Sequence, residues 1–211
     1  KIGGKKVLGY RDEKNVNPES KTETYVALKF YIDNWRWGGV PFLIRTGKRL
    51  PTRVTEIVIH FKKTPHHIFK ADRSNNSYDN QLIIRIQPDE GILLKFGMKV
   101  PGAGFDIKNV GMDFHYSDLT DTNIPEAYER LLLDALLGDG TLFARADGVE
   151  AAWEFVDPIL SAWQDNASIK LYGYPAGTWG PMESRLLFDE PSEDWRYPCK
   201  NLTTEDTYCE L

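Results

Sequence analysis

The densest concentration of reactive side chains is the run Arg45-Thr46-Gly47-Lys48-Arg49-Leu50-Pro51-Thr52-Arg53, four basic residues in nine with no acid among them. Long cationic side chains at a strand end that leads into a glycine-hinged loop can converge on one anion. Lysine contributes a mobile point charge and arginine a planar fork matched to phosphate or carboxylate. Gly47 lets the backbone itself come close to such a ligand. The same composition also describes a solvated loop whose charges pair with surface carboxylates, since exposed charges are little constrained. The residue types alone leave both readings open. A phosphate-cradling P-loop is excluded: the preceding glycine is Gly39, at the wrong spacing, and Lys48 is followed by Arg49 and not by Ser or Thr.

Other candidate chemistry is sparse. The histidines are His60, His66, His67 and His115. His60 and His115 fall in strand-like segments and His66-His67 in a turn-like one. Adjacent imidazoles seldom reach one ion and no further ligand cluster accompanies them, so no metal site is expected. No Gly-x-Gly-x-x-Gly follows a strand to hold a pyrophosphate. Cys199 and Cys209 lie in a polar tail, 190–211, expected beyond the core. They form neither a disulfide framework nor a metal cluster, although ten residues apart they could pair.

The basic run needs a scaffold, and the pattern around it is that of strands. After a polar, turn-rich lead-in (1–20), the sequence from Thr22 through Ile32 is rich in β-branched and aromatic residues. Val40–Arg45, Glu56–Phe61, Leu82–Gln87, Gly91–Lys99 and Gly111–Tyr116 share that character. Their links are short Gly/Pro/Asn turns, as at Gln87-Pro88-Asp89-Glu90-Gly91, plus a polar loop over Lys70–Asn80. Short links favour antiparallel neighbours, because a parallel crossover takes about a dozen residues. After Tyr116 the period changes. Tyr128, Leu131, Leu132, Ala135 and Leu136 fall at helical spacing, with Pro125 in the first turn and Gly138 at the end. A second helix is expected from Asp147, which can cap it with Glu150 three residues on. Trp153, Val156, Leu160 and Trp163 form its stripe, and Pro158 is placed to kink it. From Tyr172 onward, irregular structure should pack its aromatics back on the body. The expected fold is therefore α+β: a large, mainly antiparallel sheet with helices packed on one side, in one domain over 1–211.

Composition bounds what such a domain does. With 41% hydrophobic residues the chain can bury a core, and a net charge of −5 makes it no nucleic-acid binder. No apolar run nears the roughly 20 residues of a membrane span. A soluble protein in a reducing cytoplasm is the expectation. The first residue, Lys1, is not Met, which reads as a processed or excised chain.

The segments Thr22-Glu-Thr-Tyr-Val-Ala-Leu, Ile32-Asp-Asn-Trp-Arg-Trp-Gly-Gly-Val-Pro-Phe, Arg45-Thr-Gly-Lys-Arg-Leu and Ile84-Arg-Ile-Gln-Pro together resemble the glucose-6-phosphate dehydrogenase family. So do Pro125-Glu-Ala-Tyr-Glu-Arg-Leu-Leu-Leu-Asp and Tyr174-Pro-Ala-Gly-Thr-Trp-Gly-Pro, in the expected order over nearly the whole chain. The resemblance is to the family's carboxy-terminal, substrate-binding and dimerising part, without the amino-terminal Rossmann domain. It implies that Lys48 binds glucose 6-phosphate, that Arg53 occupies a second substrate-contacting position, and that Gln87 hydrogen-bonds sugar hydroxyls. From the residues alone, Gln87 reads instead as a strand-end residue satisfying the turn at Pro88. The resemblance further implies NADP, bound mainly by the family's amino-terminal domain, and a homodimer or tetramer built through the sheet. The family's catalytic histidine belongs to a preceding segment, so this chain alone should be inactive. Some members carry a second, structural NADP at basic positions matched by Arg45, Arg85 and Lys95. Val54 and Val58 stand where those members have further basic residues, so that site is not expected. The alternative is a stand-alone sugar-phosphate-binding or regulatory domain that does not catalyse.

Overall fold

The structure, a computed structural model, describes residues 7–62, 80–102, 104, 106–119, 127–191, 193–199 and 202. They group into two compact units, one made of Lys1–Glu23 with Thr122–Gly173, the other of Thr24–Asp121 with Tyr174–Leu211. His66-His67 and most of the expected loop over Lys70–Asn80 lie outside the described residues.

Among the described residues, the second unit carries six strands: β1 Tyr25–Phe30, β2 Phe42–Gly47, β3 Thr55–His60, β4 Gln81–Gln87, β5 Gly91–Lys99 and β6 Ile107–His115. The strands match the six sequence segments and every described pairing is antiparallel. They form two sheets where one was expected: a β1-β2 pair, and a four-stranded sheet in the order β3-β4-β5-β6. Periodicity shows which residues are strands but not which strands share hydrogen bonds, and the connection 48–54 leaves β2 without pairing it to β3.

In the four-stranded sheet, register decides what is buried. Val58 lies opposite Ile83, and Ile83 opposite Leu93. This line of apolar side chains is closed by Leu202, with Ile83, Leu93 and Leu202 almost wholly buried. Alternation puts Ile57, Ile59, Ile92, Met112 and Phe114 on the opposite face, where they are exposed. Leu202 and Cys199 correct the expectation of a tail beyond the core, because both are buried. Cys199 carries a disulfide bond, while Cys209 lies outside the described residues.

Beside that core sits a charged triad. Glu56 on β3 is opposite Arg85 on β4, and its two carboxylate oxygens accept from Arg85 (3.2 Å) and from Arg196 of the carboxy-terminal segment. All three side chains are buried. Arg196 also donates to the Leu202 carbonyl at 2.7 Å, tying the triad to the residue that closes the core.

Among its described residues the other unit holds two α-helices, α1 Ala127–Leu137 and α2 Ala146–Asp165. The α1 sequence is a run of good helix formers, and Gly138 ends it in the left-handed region with φ 72°. The amides of Gly138 and Asp139 return to the carbonyls of Ala135 and Asp134, the pattern of a Schellman motif. The expected apolar stripe of α1 is not its buried side: Tyr128, Leu132 and Leu136 are exposed, while Asp134 is buried and paired with Arg130. α2 starts one residue before the expected Asp147 cap, with Arg145 at the N-cap and no side-chain capping bond. Asp147 instead occupies the first turn and accepts from the Gly148 amide and from Arg145, where a carboxylate is favourable at the positive end of the helix dipole. The helix runs through Pro158.

Candidate functional site

Lys48 follows the last residue of β2 in a two-residue turn and is exposed. Its amide donates to the Thr24 carbonyl at 2.7 Å. The next residue, Arg49, has φ 52°, a left-handed conformation costly for a residue with a Cβ. The turn is held from the segment after Gly173. The Tyr174 hydroxyl lies 2.8 Å from both the Lys48 and the Thr24 carbonyls, and the Gly177 amide donates to the Arg49 carbonyl at 2.8 Å. The Tyr174 ring packs on Tyr25, centroids 5.3 Å apart. Gly47 and Gly180 leave room for Tyr25: a Cβ at either would come within 3 Å of its ring, and Gly180 has φ 105° besides. Two tyrosines and three glycines thus fix the backbone from which Lys48 projects. The Lys48 ammonium makes no hydrogen bond or ion pair with any described residue.

Arg53 lies five residues on in the same connection, exposed and without a described side-chain partner. It precedes by two residues Thr55, the residue opposite Gln87 across the β3-β4 pair. The Gln87 Nε2 donates to Thr55 Oγ1 at 2.8 Å, so the amide is oriented by the strand end it sits on while its Oε1 and second hydrogen keep bonding capacity. A cis peptide joins Gln87 to Pro88. The structure therefore brings Arg53 and Gln87 to one end of the β3-β4 pair, and places Lys48 at the start of the loop that leads there. The Gln87 amide thus bonds across the strand pair and not within the turn at Pro88.

Arg45 and Arg85 are used internally. The Arg45 guanidinium sits 4.9 to 5.1 Å from the ring centroids of Trp179, Trp195 and Tyr197 and donates to the Arg196 carbonyl. Burial lowers its pKa, opposed by the nearby Tyr25, Tyr197 and Asp194. An arginine remains charged through such a shift, and three aromatic faces are suitable neighbours for a desolvated guanidinium. Burial likewise raises the Tyr197 phenol, with the Asp194 carboxylate adding to it. Arg85 is committed to Glu56, and Val58 packs on the apolar core. Lys95 lies in β5 opposite Gln81 and Gly111. Arg45 and Arg85 are thus each engaged by groups of this chain.

Among the histidines, His60 is the last residue of β3 and His115 the last of β6. His115 Nδ1 lies 2.8 Å from Asp89. Among the described residues, no group of three or more His, Cys, Asp or Glu could hold a metal ion, and no helix is long and apolar enough to cross a membrane. Sequence reasoning missed Tyr174, Gly177 and Glu56. No local spacing connects Tyr174 to a loop 126 residues away, although its motif was visible as one of the segments of resemblance.

Residues 1–196 match the family model described as glucose-6-phosphate dehydrogenase, C-terminal domain. The chain is 58% identical over 197 residues to the glucose-6-phosphate 1-dehydrogenase of Aggregatibacter actinomycetemcomitans, which covers 93% of this chain and 39% of that protein. It is 52% identical over 212 residues to that of Treponema pallidum, covering 100% and 41% respectively. A crystal structure of glucose-6-phosphate 1-dehydrogenase from Mycobacterium avium superposes with a TM-score of 0.73 at 36% identity, over 90% of this chain and 39% of that one. A glucose-6-phosphate dehydrogenase solved in complex with its substrate glucose 6-phosphate superposes with a TM-score of 0.69 at 37% identity, over 80% and 34%. The chain thus spans about two fifths of the length of the curated relatives it matches.

Proposed function

The chain belongs to the glucose-6-phosphate dehydrogenase C-terminal domain family, and on that premise we propose that it is the substrate-binding part of an NADP-dependent glucose-6-phosphate dehydrogenase. The observation that carries the proposal is the exposed Lys48 ammonium on a backbone-clamped turn, followed in the same loop by Arg53. A sugar phosphate brings a dianion to one end of a site and hydroxyls to the other. Lys48 and Arg53 supply charge for the first, and the oriented Gln87 amide supplies a donor and an acceptor for the second. The reaction removes hydride from the anomeric carbon and the proton from its hydroxyl, giving 6-phosphogluconolactone. NADP, when bound, supplies the hydride acceptor, and a histidine outside this chain takes the proton. The role of this chain is to fix the sugar so that both leave in the right direction.

Two exposed apolar surfaces support a larger assembly. Tyr128, Leu132 and Leu136 of α1 suit burial against the remaining part of a longer protein. The exposed face of the four-stranded sheet, with Ile57, Ile59, Ile92, Met112 and Phe114, suits pairing with a second copy. The reading is a cytoplasmic homodimer, or a tetramer of such dimers. Met112→Asp in the full-length protein should shift the sedimentation coefficient to that of a smaller species, and an unchanged coefficient would remove this face from the interface.

The proposal as a whole is tested by following absorbance at 340 nm. Full-length protein should reduce NADP with glucose 6-phosphate and not measurably with glucose, while residues 1–211 alone reduce none. Turnover by the isolated chain, or its absence in the full-length protein, would contradict the reading. A stand-alone binding or regulatory domain is not favoured, since the family match runs over residues 1–196 and the relatives carry the same domain within a dehydrogenase.

A further inference from the structure

We propose that Tyr174 is a positioning residue for the sugar-phosphate site, acting through the backbone of Lys48; the inference rests on the function proposed above. Three polar groups meet at one point. The Thr24 carbonyl accepts from the Lys48 amide at 2.7 Å and lies 2.8 Å from the Tyr174 hydroxyl, which lies at the same distance from the Lys48 carbonyl. One phenolic hydrogen is thus shared by two carbonyls, that of Thr24 just before β1 and that of Lys48 in the turn. Three residues further on, the Gly177 amide caps the next carbonyl, that of Arg49.

Successive carbonyls at Lys48 and Arg49 are therefore both held by the segment 174–177, on either side of a residue with φ 52°. A non-glycine residue stays in that region only when its surroundings over-determine it. Released from Tyr174 and Gly177, Arg49 would relax toward negative φ, which rotates the peptide planes on both of its sides and re-aims the Lys48 side chain. An ammonium on a flexible four-carbon stem carries little orientation of its own, so the direction of the stem has to come from the backbone. Tyr174 supplies it without touching the ligand, and its ring contact with Tyr25 keeps the hydroxyl in place.

The test is a double-mutant cycle in the full-length enzyme, with Y174F, K48A and the double variant, reading the KM for each substrate and kcat. Y174F keeps the ring against Tyr25 and removes only the hydroxyl. One hydrogen bond predicts a rise of about threefold to tenfold in the KM for glucose 6-phosphate, with the KM for NADP and the unfolding midpoint close to wild type. In the K48A background the same substitution should change the KM by less than about twofold, because the group it positions is gone. Full effects of Y174F in both backgrounds, or a rise in both KM values together with a lower unfolding midpoint, would make Tyr174 general scaffold and overturn the proposal. A normal KM in Y174F beside a raised KM in K48A would overturn the positioning role and leave the substrate site standing. A normal KM in K48A itself would remove both.

Discussion

Lys48→Ala in the full-length enzyme is expected to raise the KM for glucose 6-phosphate roughly 10- to 100-fold, the effect of losing one hydrogen bond to a charged group. The KM for NADP should hardly move. The size of the effect follows from the setting of the side chain. Its ammonium makes no hydrogen bond or ion pair with any described residue, so removing it leaves no buried partner uncompensated and the whole loss is lost ligand contact. Lys62 is the control, an exposed lysine beyond β3. Lys62→Ala removes the same formal charge and should leave the KM within about twofold, the scale of an exposed charge. Steady-state kinetics of the two variants side by side decide the matter, and equal effects would mean that only net charge counts.

Glu56→Ala should be the most damaging substitution for stability. The carboxylate stands between Arg85 and Arg196, all three side chains buried. Breaking a buried pair by removing one partner costs about 3–5 kcal/mol, because the charges left behind have lost both water and counter-ion. Here two guanidiniums are left facing each other, and Arg196 is also the link to Leu202, which closes the apolar cluster over Ile83 and Leu93. Loss of the acid should therefore loosen the carboxy-terminal segment as well as the sheet. Denaturant unfolding of the variant, read against wild type, measures it. A change under about 1 kcal/mol, the value of an exposed pair, would show that the triad contributes little to holding that segment down.

How far the sequence reveals this molecule depends on the distance over which each feature is determined. Strands with β-branched and aromatic runs, such as β1 and β4, were legible because their side chains announce the local conformation. β6 begins four residues earlier than its sequence suggests: Ile107-Lys108-Asn109-Val110 has weak strand character, but Phe96 through Lys99 of β5 require partners there. The end of α1 at Gly138 was legible from one residue type, whereas the start of α2 was misplaced because Asp147 serves the helix dipole from inside the first turn. Tyr128, Leu132 and Leu136 form the apolar stripe that the spacing of α1 indicates, and they are exposed, since periodicity reports a face and not what covers it.

The site divides along the same line. Lys48 and Arg53 stand out as charge in a short loop, although composition could not separate a phosphate site from a solvated surface. The family resemblance supplied that step. Tyr174, Gly177 and Glu56 could not be found by spacing. Their significance lies in contacts across 126 residues for Tyr174 with Lys48, and 140 for Arg196 with Glu56. The Arg45 enclosure is similar, being formed by Trp179, Trp195 and Tyr197 from the far end of the chain.

The central claim, that the Lys48 ammonium holds the phosphate of glucose 6-phosphate, is open to a direct test without any substitution. Full-length protein is exposed briefly to an amine-acylating reagent with and without saturating glucose 6-phosphate, and modification of each lysine is quantified by peptide mass spectrometry. Protection of Lys48 by glucose 6-phosphate but not by glucose, with Lys62 modified equally under all conditions, is the result predicted. Modification of Lys48 at the same rate in the presence of saturating glucose 6-phosphate would contradict it.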